Sequence, residues 1–182
     1  MTETDLIVQS RRGDPDAWEA LTRVHQEAVF RLAYLLLGDP DDAEDVAQEA
    51  FVRAYYALRR FDTARPLRPW LLRIASNLAR NRGRSIGRYF AQLNRFARVS
   101  STDAPALAEE DSESLWVAVR RLTTDYQQVI YMRYFLEMSE SEMAEALAVA
   151  PGTVKSRLHR ALAALRELIA REYPHLQGSP EA

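Results

Sequence analysis

Apolar residues recur along most of the chain at the three- and four-residue intervals of an α-helix. Asp14 and Pro15 can cap and begin a helix whose apolar stripe continues until Gly38. Asp39 and Pro40 repeat that start, and a second amphipathic stripe follows. Glycine is scarce and no long segment alternates apolar with polar residues, so the sequence predicts an all-α protein. The first stripe consists of Trp18, Leu21, Val24, Ala28, Leu32 and Leu35.

Breaks in this pattern divide the chain. Two prolines interrupt it at 62–69, and a third helix follows from Trp70. The Arg- and aromatic-rich stretch 88–98 is compatible with a helix, but the Ser, Thr, Asp, Ala and Pro residues after it lack an apolar period and indicate a linker. Leu115 then begins a second module of four helices. We predict two small helical domains, at 1–98 and 114–173, with a linker at 99–113 and a tail at 174–182.

The clearest local motif runs from Ser139 to Arg171 in the second domain. Ser139 and Glu142 have the spacing of a capping box, Pro151 can begin the following helix, and the small Ala144 lets two helices cross closely. This pattern predicts a helix-turn-helix, with a solvated helical hairpin as the alternative. The outward positions of its second helix, which would contact DNA, are Thr153, Lys155, Ser156, Arg157, His159 and Arg160.

The net charge of -2 conceals strongly charged blocks. Residues 1–50 carry four Arg against twelve Asp and Glu, whereas 51–100 carry twelve Arg against one Asp. The segment 101–115 has five acidic residues and no basic one, and the remainder is balanced at eight against eight. A block as basic as 51–100 favours an anionic partner, most commonly phosphate. The alternative is a solvated helical face.

Composition excludes several classes of protein. The chain has no cysteine, so disulfides and thiolate metal sites are excluded and a reducing cytoplasm is the expected location. The N-terminal residues lack the apolar segment of a signal peptide, and no apolar run approaches the roughly 20 residues of a membrane span. We therefore expect a soluble, cytoplasmic protein.

The sequence does not favour an enzyme. His25, His159 and His175 are scattered, and no glycine-rich phosphate loop is present. Glu172 and His175 have the spacing of a diiron motif, but Pro174 breaks the helix and no second copy exists. Carboxylates at the start of the second helix are more often partners of the helix dipole than ligands of a hard cation. We expect no catalytic residues, no metal and no cofactor.

Three segments resemble those of a bacterial sigma factor of the extracytoplasmic-function group. Residues 152–161, GTVKSRLHRA, resemble the recognition helix of that family. Residues 41–51, DDAEDVAQEAF, resemble its polymerase-binding helix, and residues 69–79, PWLLRIASNLA, its promoter-melting helix. The three segments occur in family order and at family spacing. The predicted linker lies between the segments 69–79 and 152–161.

The resemblance implies a role for each domain. The N-terminal domain, sigma region 2, would dock on the clamp helices of core RNA polymerase, which suits the acidic and polar face of the second helix. The C-terminal domain, region 4, would bind the minus-thirty-five element of the promoter and the polymerase flap. An anti-sigma factor is a further expected partner. The residues expected to bind core polymerase are Asp41, Asp42, Glu44, Asp45, Gln48 and Glu49.

The resemblance also places minus-ten recognition in the basic block. Opening a promoter requires a loop and aromatic or Arg planes that hold an unstacked base, and residues 61–68 form such a loop. Asn77 is a candidate residue for the base pocket. The residues expected to contact the minus-ten element are Phe61, Asp62, Arg65, Arg68, Trp70, Arg73, Asn77 and Arg80.

Two departures from the family pattern affect this interpretation. Ala148 stands where the family usually has glycine, at a cost of roughly 1 kcal/mol if the turn needs a positive φ. The loop 62–68 is not a common family version, so its base preference cannot be transferred. The competing hypotheses are a stand-alone helix-turn-helix regulator and a helical interaction protein without a DNA role.

Overall fold

The computed structural model describes residues 2–93 and 110–173, and at 85–93 and 110–113 it describes only the helical course of the backbone. No strand occurs in these residues, which confirms the predicted all-α fold. A 3-10 turn, Leu58–Arg60, follows α3, and a π-helical turn, Tyr131–Phe135, follows α6. The α-helices of the described residues are α1 (Glu3–Arg11), α2 (Pro15–Leu37), α3 (Pro40–Ala57), α4 (Leu67–Leu93), α5 (Glu110–Arg120), α6 (Thr124–Ile130), α7 (Glu140–Leu147) and α8 (Pro151–Glu172).

Capping residues determine where α2 and α3 begin and where α2 ends. The Asp14 carboxylate accepts hydrogen bonds from two backbone N–H groups of the first turn of α2, and the Asp39 carboxylate accepts one from Asp42. Gly38 ends α2 in the left-handed conformation at φ 76°, which costs glycine little. These contacts confirm the predicted starts of both helices and the end of α2.

The chain divides into two compact units. The first contains α1 to α4, and the second contains α5, α6, α8 and the start of α7. In the first unit α2 packs against α1, α3 and α4, and α3 also packs against α4. The most deeply buried residues of this unit include Leu21, Leu32, Ala33, Ala43, Ala50, Ala54, Leu58, Leu67, Leu71, Leu72 and Ala75.

One predicted inward position on α2 is wrong. Val24 is 69% exposed, and its neighbour His25 is buried at 6%. The buried residues Ala17, Leu21, His25 and Val29 follow a four-residue interval, so the helix lies rotated from the predicted phase. The His25 Nε2 atom lies 2.9 Å from a Glu3 carboxylate oxygen of α1, which provides the polar partner that a buried imidazole needs.

Helices extend beyond the predicted bounds at three places. Helix α1 was not predicted at all, and α4 begins at Leu67 rather than at Trp70 and continues to Leu93, which covers part of the stretch 88–98. Helix α5 begins at Glu110, inside the predicted linker at 99–113. The rest of that linker and the predicted tail at 174–182 lie outside the described residues.

Helices α7 and α8 form the predicted helix-turn-helix. Ser139 and Glu142 form the predicted capping box: the Ser139 N–H donates to the Glu142 carboxylate at 2.8 Å and the Glu142 N–H to the Ser139 hydroxyl at 3.3 Å. Helix α8 packs against α5 and α6, and Val154 and Ala161 on its inner face are fully buried. The buried face of α8 leaves its opposite face open to a ligand.

Candidate promoter and polymerase interfaces

The loop between the 3-10 turn and α4 is ordered by contacts at both ends. At its start, Phe61 is buried, and its ring centroid lies 4.7 Å from that of the half-buried Trp70 on α4. At its tip, an Asp62 carboxylate oxygen accepts the Ala64 N–H at 3.0 Å, and the Asp62 carbonyl accepts the Arg65 N–H at 3.0 Å. The predicted minus-ten residues of the loop therefore divide into packing and exposed groups: Phe61 packs inward, whereas Asp62 and Arg65 face solvent.

Helix α4 presents a polar and basic face next to this loop. Arg73 and Asn77 are exposed one turn apart, and Arg80 is half-buried at the next turn. Asn81 and Arg84 continue the same row and are exposed. Asn81 and Arg84 are not among the predicted minus-ten residues, although they follow Asn77 at helical intervals of four and seven residues.

Two further basic residues escaped prediction because they precede the loop. Arg59 and Arg60 lie in the 3-10 turn, and both side chains are exposed. The turn is anchored by Leu58, which is 1% exposed. Arg59 and Arg60 lie between two apolar residues, Leu58 and Phe61, and this sequence pattern could have predicted two exposed arginines at the entrance of the loop.

The acidic face of α3 is only partly free to meet a partner. Five of the six predicted core-binding residues are exposed, and Asp42 is half-buried. Glu49 pairs with Arg53 on the same helix at 2.5 Å, and Glu44 accepts a hydrogen bond from Gln48 at 3.2 Å. Such exposed pairs hold little energy and exchange readily for partner contacts. The five exposed residues are Asp41, Glu44, Asp45, Gln48 and Glu49.

Arg82 on α4 joins this acidic face to the basic face. Its guanidinium donates to Asp42 at 2.5 and 2.8 Å and to Asp45 at 2.9 Å. The hydrogen bond from Arg82 to the Asp42 carboxylate raises the pKa of the guanidinium above its ordinary value. Asp42 and Asp45 therefore help to hold α3 against α4, a role that their local sequence did not reveal.

The recognition helix α8 exposes most of the residues predicted to contact DNA. Lys155, Ser156, His159 and Arg160 are exposed, and Thr153 is half-buried. The Ser156 hydroxyl donates to the Thr153 carbonyl at 3.1 Å, and Arg160 Nε donates to the Ser156 carbonyl at 3.2 Å. In this local contact Arg160 uses its Nε donor.

Arg157 differs from its neighbours on α8. Its side chain is only 20% exposed, and a terminal nitrogen lies 3.9 Å from a carboxylate oxygen of Asp125 on α6. The residue thus combines a packing role between α6 and α8 with its predicted role at DNA. Half-buried arginines of this kind contribute through their aliphatic stem as well as through their charge.

The turn between α7 and α8 has the hydrogen bonds of a Schellman motif. The Val149 N–H donates to the Ala144 carbonyl at 3.0 Å, and the Ala148 N–H donates to the Glu145 carbonyl at 3.2 Å. Ala148 occupies the left-handed position with φ 53°. The turn therefore keeps the conformation that glycine favours and is strained by the alanine methyl group.

Other kinds of site are not indicated by the described residues. Across 2–93 and 110–173, no three His, Asp or Glu side chains are grouped in a way that could hold a metal ion. No helix in the same residues is long and apolar enough to cross a membrane.

Family models match both units of the chain. Residues 21–89 match sigma-70 region 2, and residues 112–165 match sigma-70 region 4. Together these ranges cover more than half of the sequence and contain the acidic helix, the basic loop and helix, and the helix-turn-helix. These matches define the chain as a bacterial transcription initiation factor rather than a classical enzyme.

Curated relatives place the chain more narrowly. It is 34% identical to the ECF RNA polymerase sigma factor SigW of Bacillus subtilis over 88% of this chain and 93% of SigW. It is 36% identical to the ECF RNA polymerase sigma factor SigL of Mycobacterium tuberculosis over 81% of this chain and 85% of SigL. The chain belongs to the extracytoplasmic-function sigma factors of the sigma-70 family.

Solved structures of similar fold support this assignment. CnrH, in complex with the cytosolic domain of CnrY, is 29% identical with a TM-score of 0.70, and the match covers 93% of this chain and 98% of CnrH. The sigma factor RpoE from Bartonella quintana, in complex with the anti-sigma factor NepR, is 25% identical with a TM-score of 0.68. That match covers 85% of this chain and 97% of RpoE.

Proposed function

We propose that the protein binds core RNA polymerase in the cytoplasm and directs it to promoters through two separate DNA contacts. The first domain melts and reads the minus-ten element, and the second binds the minus-thirty-five element. The observation that carries this proposal is the segregation of charge within the first unit. An exposed acidic face on α3 and an exposed basic face on α4 suit two different partners, one protein and one nucleic acid.

Core polymerase would bind the exposed acidic and polar residues of α3. Asp41 and Glu44 are the best candidates for direct contacts because neither pairs with Arg82. Asp42 and Asp45 instead brace α3 against α4, and we assign them a supporting role in which they keep the docking helix in place. Gln48 and Glu49 extend the same surface by one turn.

Minus-ten DNA would lie along the loop 61–68 and α4. Arg65, Arg73 and Asn77 are exposed and can contact phosphates or an unstacked base, and Trp70 forms the wall against which Phe61 packs. We add Arg59, Arg60 and Arg84 to this surface as phosphate contacts, since backbone neutralisation dominates the affinity of most DNA-binding surfaces. Arg68 and Arg80 are half-buried and would support the loop from behind.

The minus-thirty-five element would be bound by the exposed start of α8. Arginine pairs well with the O6 and N7 edge of guanine, and Lys155 suits a phosphate. Residues 116–182, which form most of the second unit, carry eight basic and eight acidic residues, so this unit is not expected to hold a promoter tightly without polymerase. We propose that the two units act as a two-point clamp completed by the polymerase.

An anti-sigma factor is a further proposed partner. RpoE of Bartonella quintana is in complex with an anti-sigma factor, and its structure is similar to this chain over 85% of the length. Such a factor would inhibit the protein by covering the surfaces assigned here to polymerase. A pull-down of core polymerase with and without the candidate factor tests this, and undiminished recovery of core would contradict it.

Pull-down of core polymerase followed by run-off transcription on a promoter library tests the main proposal. The expected result is core binding together with transcripts that start downstream of a shared pair of elements. Tight binding to duplex DNA alone, with no association with core, would instead indicate a stand-alone helix-turn-helix regulator. If the protein bound neither DNA nor core polymerase, the result would indicate a helical interaction protein.

A further inference from the structure

The N-terminal helix α1 reaches the start of the minus-ten loop through one side chain. Arg11, the last residue of α1, donates from Nε to the Leu58 carbonyl at 2.9 Å and from a terminal nitrogen to the Phe61 carbonyl. The first carbonyl belongs to the first residue of the 3-10 turn, and the second belongs to the residue that follows the turn. Arg11 therefore caps a turn that lies about fifty residues further along the chain, in another element of the same unit.

Arg11 is itself held in a fixed position. Helix α1 begins with a capping box, in which the Thr2 N–H donates to Asp5 at 2.8 Å and the Asp5 N–H donates to the Thr2 hydroxyl at 3.1 Å. Ile7 and Ser10, on the turn before Arg11, are 2% and 3% exposed. A guanidinium on such an anchored helix can impose its position on the carbonyls that it binds.

The Phe61 carbonyl is a sensitive point for the geometry of the loop. It belongs to the peptide group that joins Phe61 to Asp62, so its direction determines how Asp62 enters the loop. Asp62 in turn orders the tip through its contacts with Ala64 and Arg65. Arg11 is therefore linked to the exposed tip of the loop in two steps. It binds the carbonyl of the Phe61–Asp62 peptide group, and Asp62 then binds the backbone of the tip.

We propose that Arg11 is a positioning residue for minus-ten base selection, which rests on the proposed role of the loop 61–68 as the base-reading element. Arg11 does not contact DNA in this arrangement. Its two hydrogen bonds hold the loop in the conformation that distinguishes the preferred base from the others. Base selectivity is the difference between the affinities for the preferred base and for another base. A loop whose first residues are less well ordered therefore loses selectivity before it loses overall affinity for DNA.

The test uses holoenzyme reconstituted from core polymerase and the full chain. A promoter library with a randomised minus-ten element and a fixed minus-thirty-five element is transcribed, and the transcripts are sequenced. The variants are Arg11→Ala, Arg11→Lys and the control Arg12→Ala, which removes the same charge from an adjacent exposed side chain. Core affinity, the urea unfolding midpoint and the response to a mutated minus-thirty-five element are measured for each.

We expect Arg11→Ala to lower the ratio of preferred to next-best minus-ten base by about tenfold, the effect of losing charge-assisted hydrogen bonds. Core affinity and the minus-thirty-five response stay at the wild-type level. Arg11→Lys keeps the charge but lacks the fork that binds two carbonyls, so it shows a smaller loss of the same kind. If Arg11→Ala does not fold, Arg11→Lys decides the question alone. Arg12→Ala retains wild-type selectivity.

Two results overturn the inference while leaving the proposed function intact. One is wild-type base selectivity in folded Arg11→Ala or Arg11→Lys holoenzyme. The other is a parallel fall in core affinity, minus-thirty-five response and base selectivity, which would indicate only a general structural role. A wild-type holoenzyme that selects no base in the minus-ten element would instead contradict the proposed role of the loop, and the inference would fail with it.

Discussion

Arg82 on α4 donates two hydrogen bonds to one carboxylate oxygen of Asp42 on α3, at 2.5 and 2.8 Å. A third hydrogen bond to Asp45 extends the contact along α3. The helix proposed to dock on polymerase and the helix proposed to melt the promoter are thus joined by a charged contact. This contact therefore helps to hold the two proposed interfaces in place relative to each other.

The first prediction concerns the strength of this contact. Because the Arg82 side chain is 40% exposed, we expect a coupling free energy of about 0.5 to 1 kcal/mol between Arg82 and Asp42. A double-mutant cycle of Arg82→Ala and Asp42→Ala measures it by urea unfolding. Trp116→Phe as the background leaves Trp18 and Trp70 as fluorescent probes of the first unit. Strictly additive single effects would show that the two residues do not interact.

The second prediction concerns the proposed docking residues of α3. Asp41→Lys with Glu44→Lys is expected to weaken core polymerase binding about tenfold, since it places positive charge where the partner is basic. The unfolding midpoint should change little. Glu27→Lys, an exposed charge reversal on α2, is the matched control and should leave core affinity unchanged. Equal affinities for the double variant and this control, measured by titration, would refute the assignment.

The third prediction concerns strain in the helix-turn-helix turn. Ala148 adopts φ 53°, so Ala148→Gly is expected to stabilise the helix-turn-helix by about 1 kcal/mol. Ala146→Gly, at a helical position within α7, should destabilise it by at least a similar amount, because it also removes a methyl group that is only 2% exposed. Native-state hydrogen exchange of the buried Ala161 and Leu165 amides in α8 reports both changes. If Ala148 strains the turn, these amides exchange more slowly in Ala148→Gly than in the wild-type protein. Faster exchange in Ala148→Gly would contradict the strain.

The fourth prediction distinguishes two basic residues of α8. Lys155→Ala should weaken minus-thirty-five binding by the holoenzyme and lower the salt dependence by about one counterion, as expected for a phosphate contact. Arg157→Ala should weaken binding as well and also destabilise the second unit, since Arg157 packs against α6 near Asp125. Core binding stays intact in both variants.

Arg166→Ala is the control for this comparison. It removes an exposed positive charge from the same helix, further from the recognition segment. Fluorescence anisotropy with a minus-thirty-five duplex at several KCl concentrations gives the affinities and slopes. Promoter binding by Lys155→Ala that matches Arg166→Ala at every salt concentration would remove Lys155 from the interface.

Local signals in the sequence were sufficient for the elements that carry their own caps. Asp14, Gly38, Asp39 and the pair Ser139 and Glu142 act on backbone groups within a few residues, so their roles follow from spacing alone. The same holds for the helix-turn-helix turn, where the expected positive φ falls on Ala148. Features of this kind are readable without a tertiary structure.

The features that escaped prediction depend on contacts between distant elements. Helix α1 is short and has a mixed polar sequence, and it is stabilised by burial of Ile7 against its neighbours. The polar partner of the buried His25 lies on α1, so apolar spacing within α2 alone predicts Val24 rather than His25 as the inward position. The local sequence around Arg82 likewise gives no sign of its ion pair, because the carboxylate partners are about forty residues away.

Promoter opening by the reconstituted holoenzyme tests the central claim most directly. A promoter carrying 2-aminopurine in the minus-ten element becomes fluorescent when its bases unstack. We predict a fluorescence increase that requires both core polymerase and this chain, and that falls when either promoter element is scrambled. A fluorescence increase caused by the chain without core polymerase would contradict the account. So would a holoenzyme that gives no fluorescence increase and also transcribes no promoter of the library.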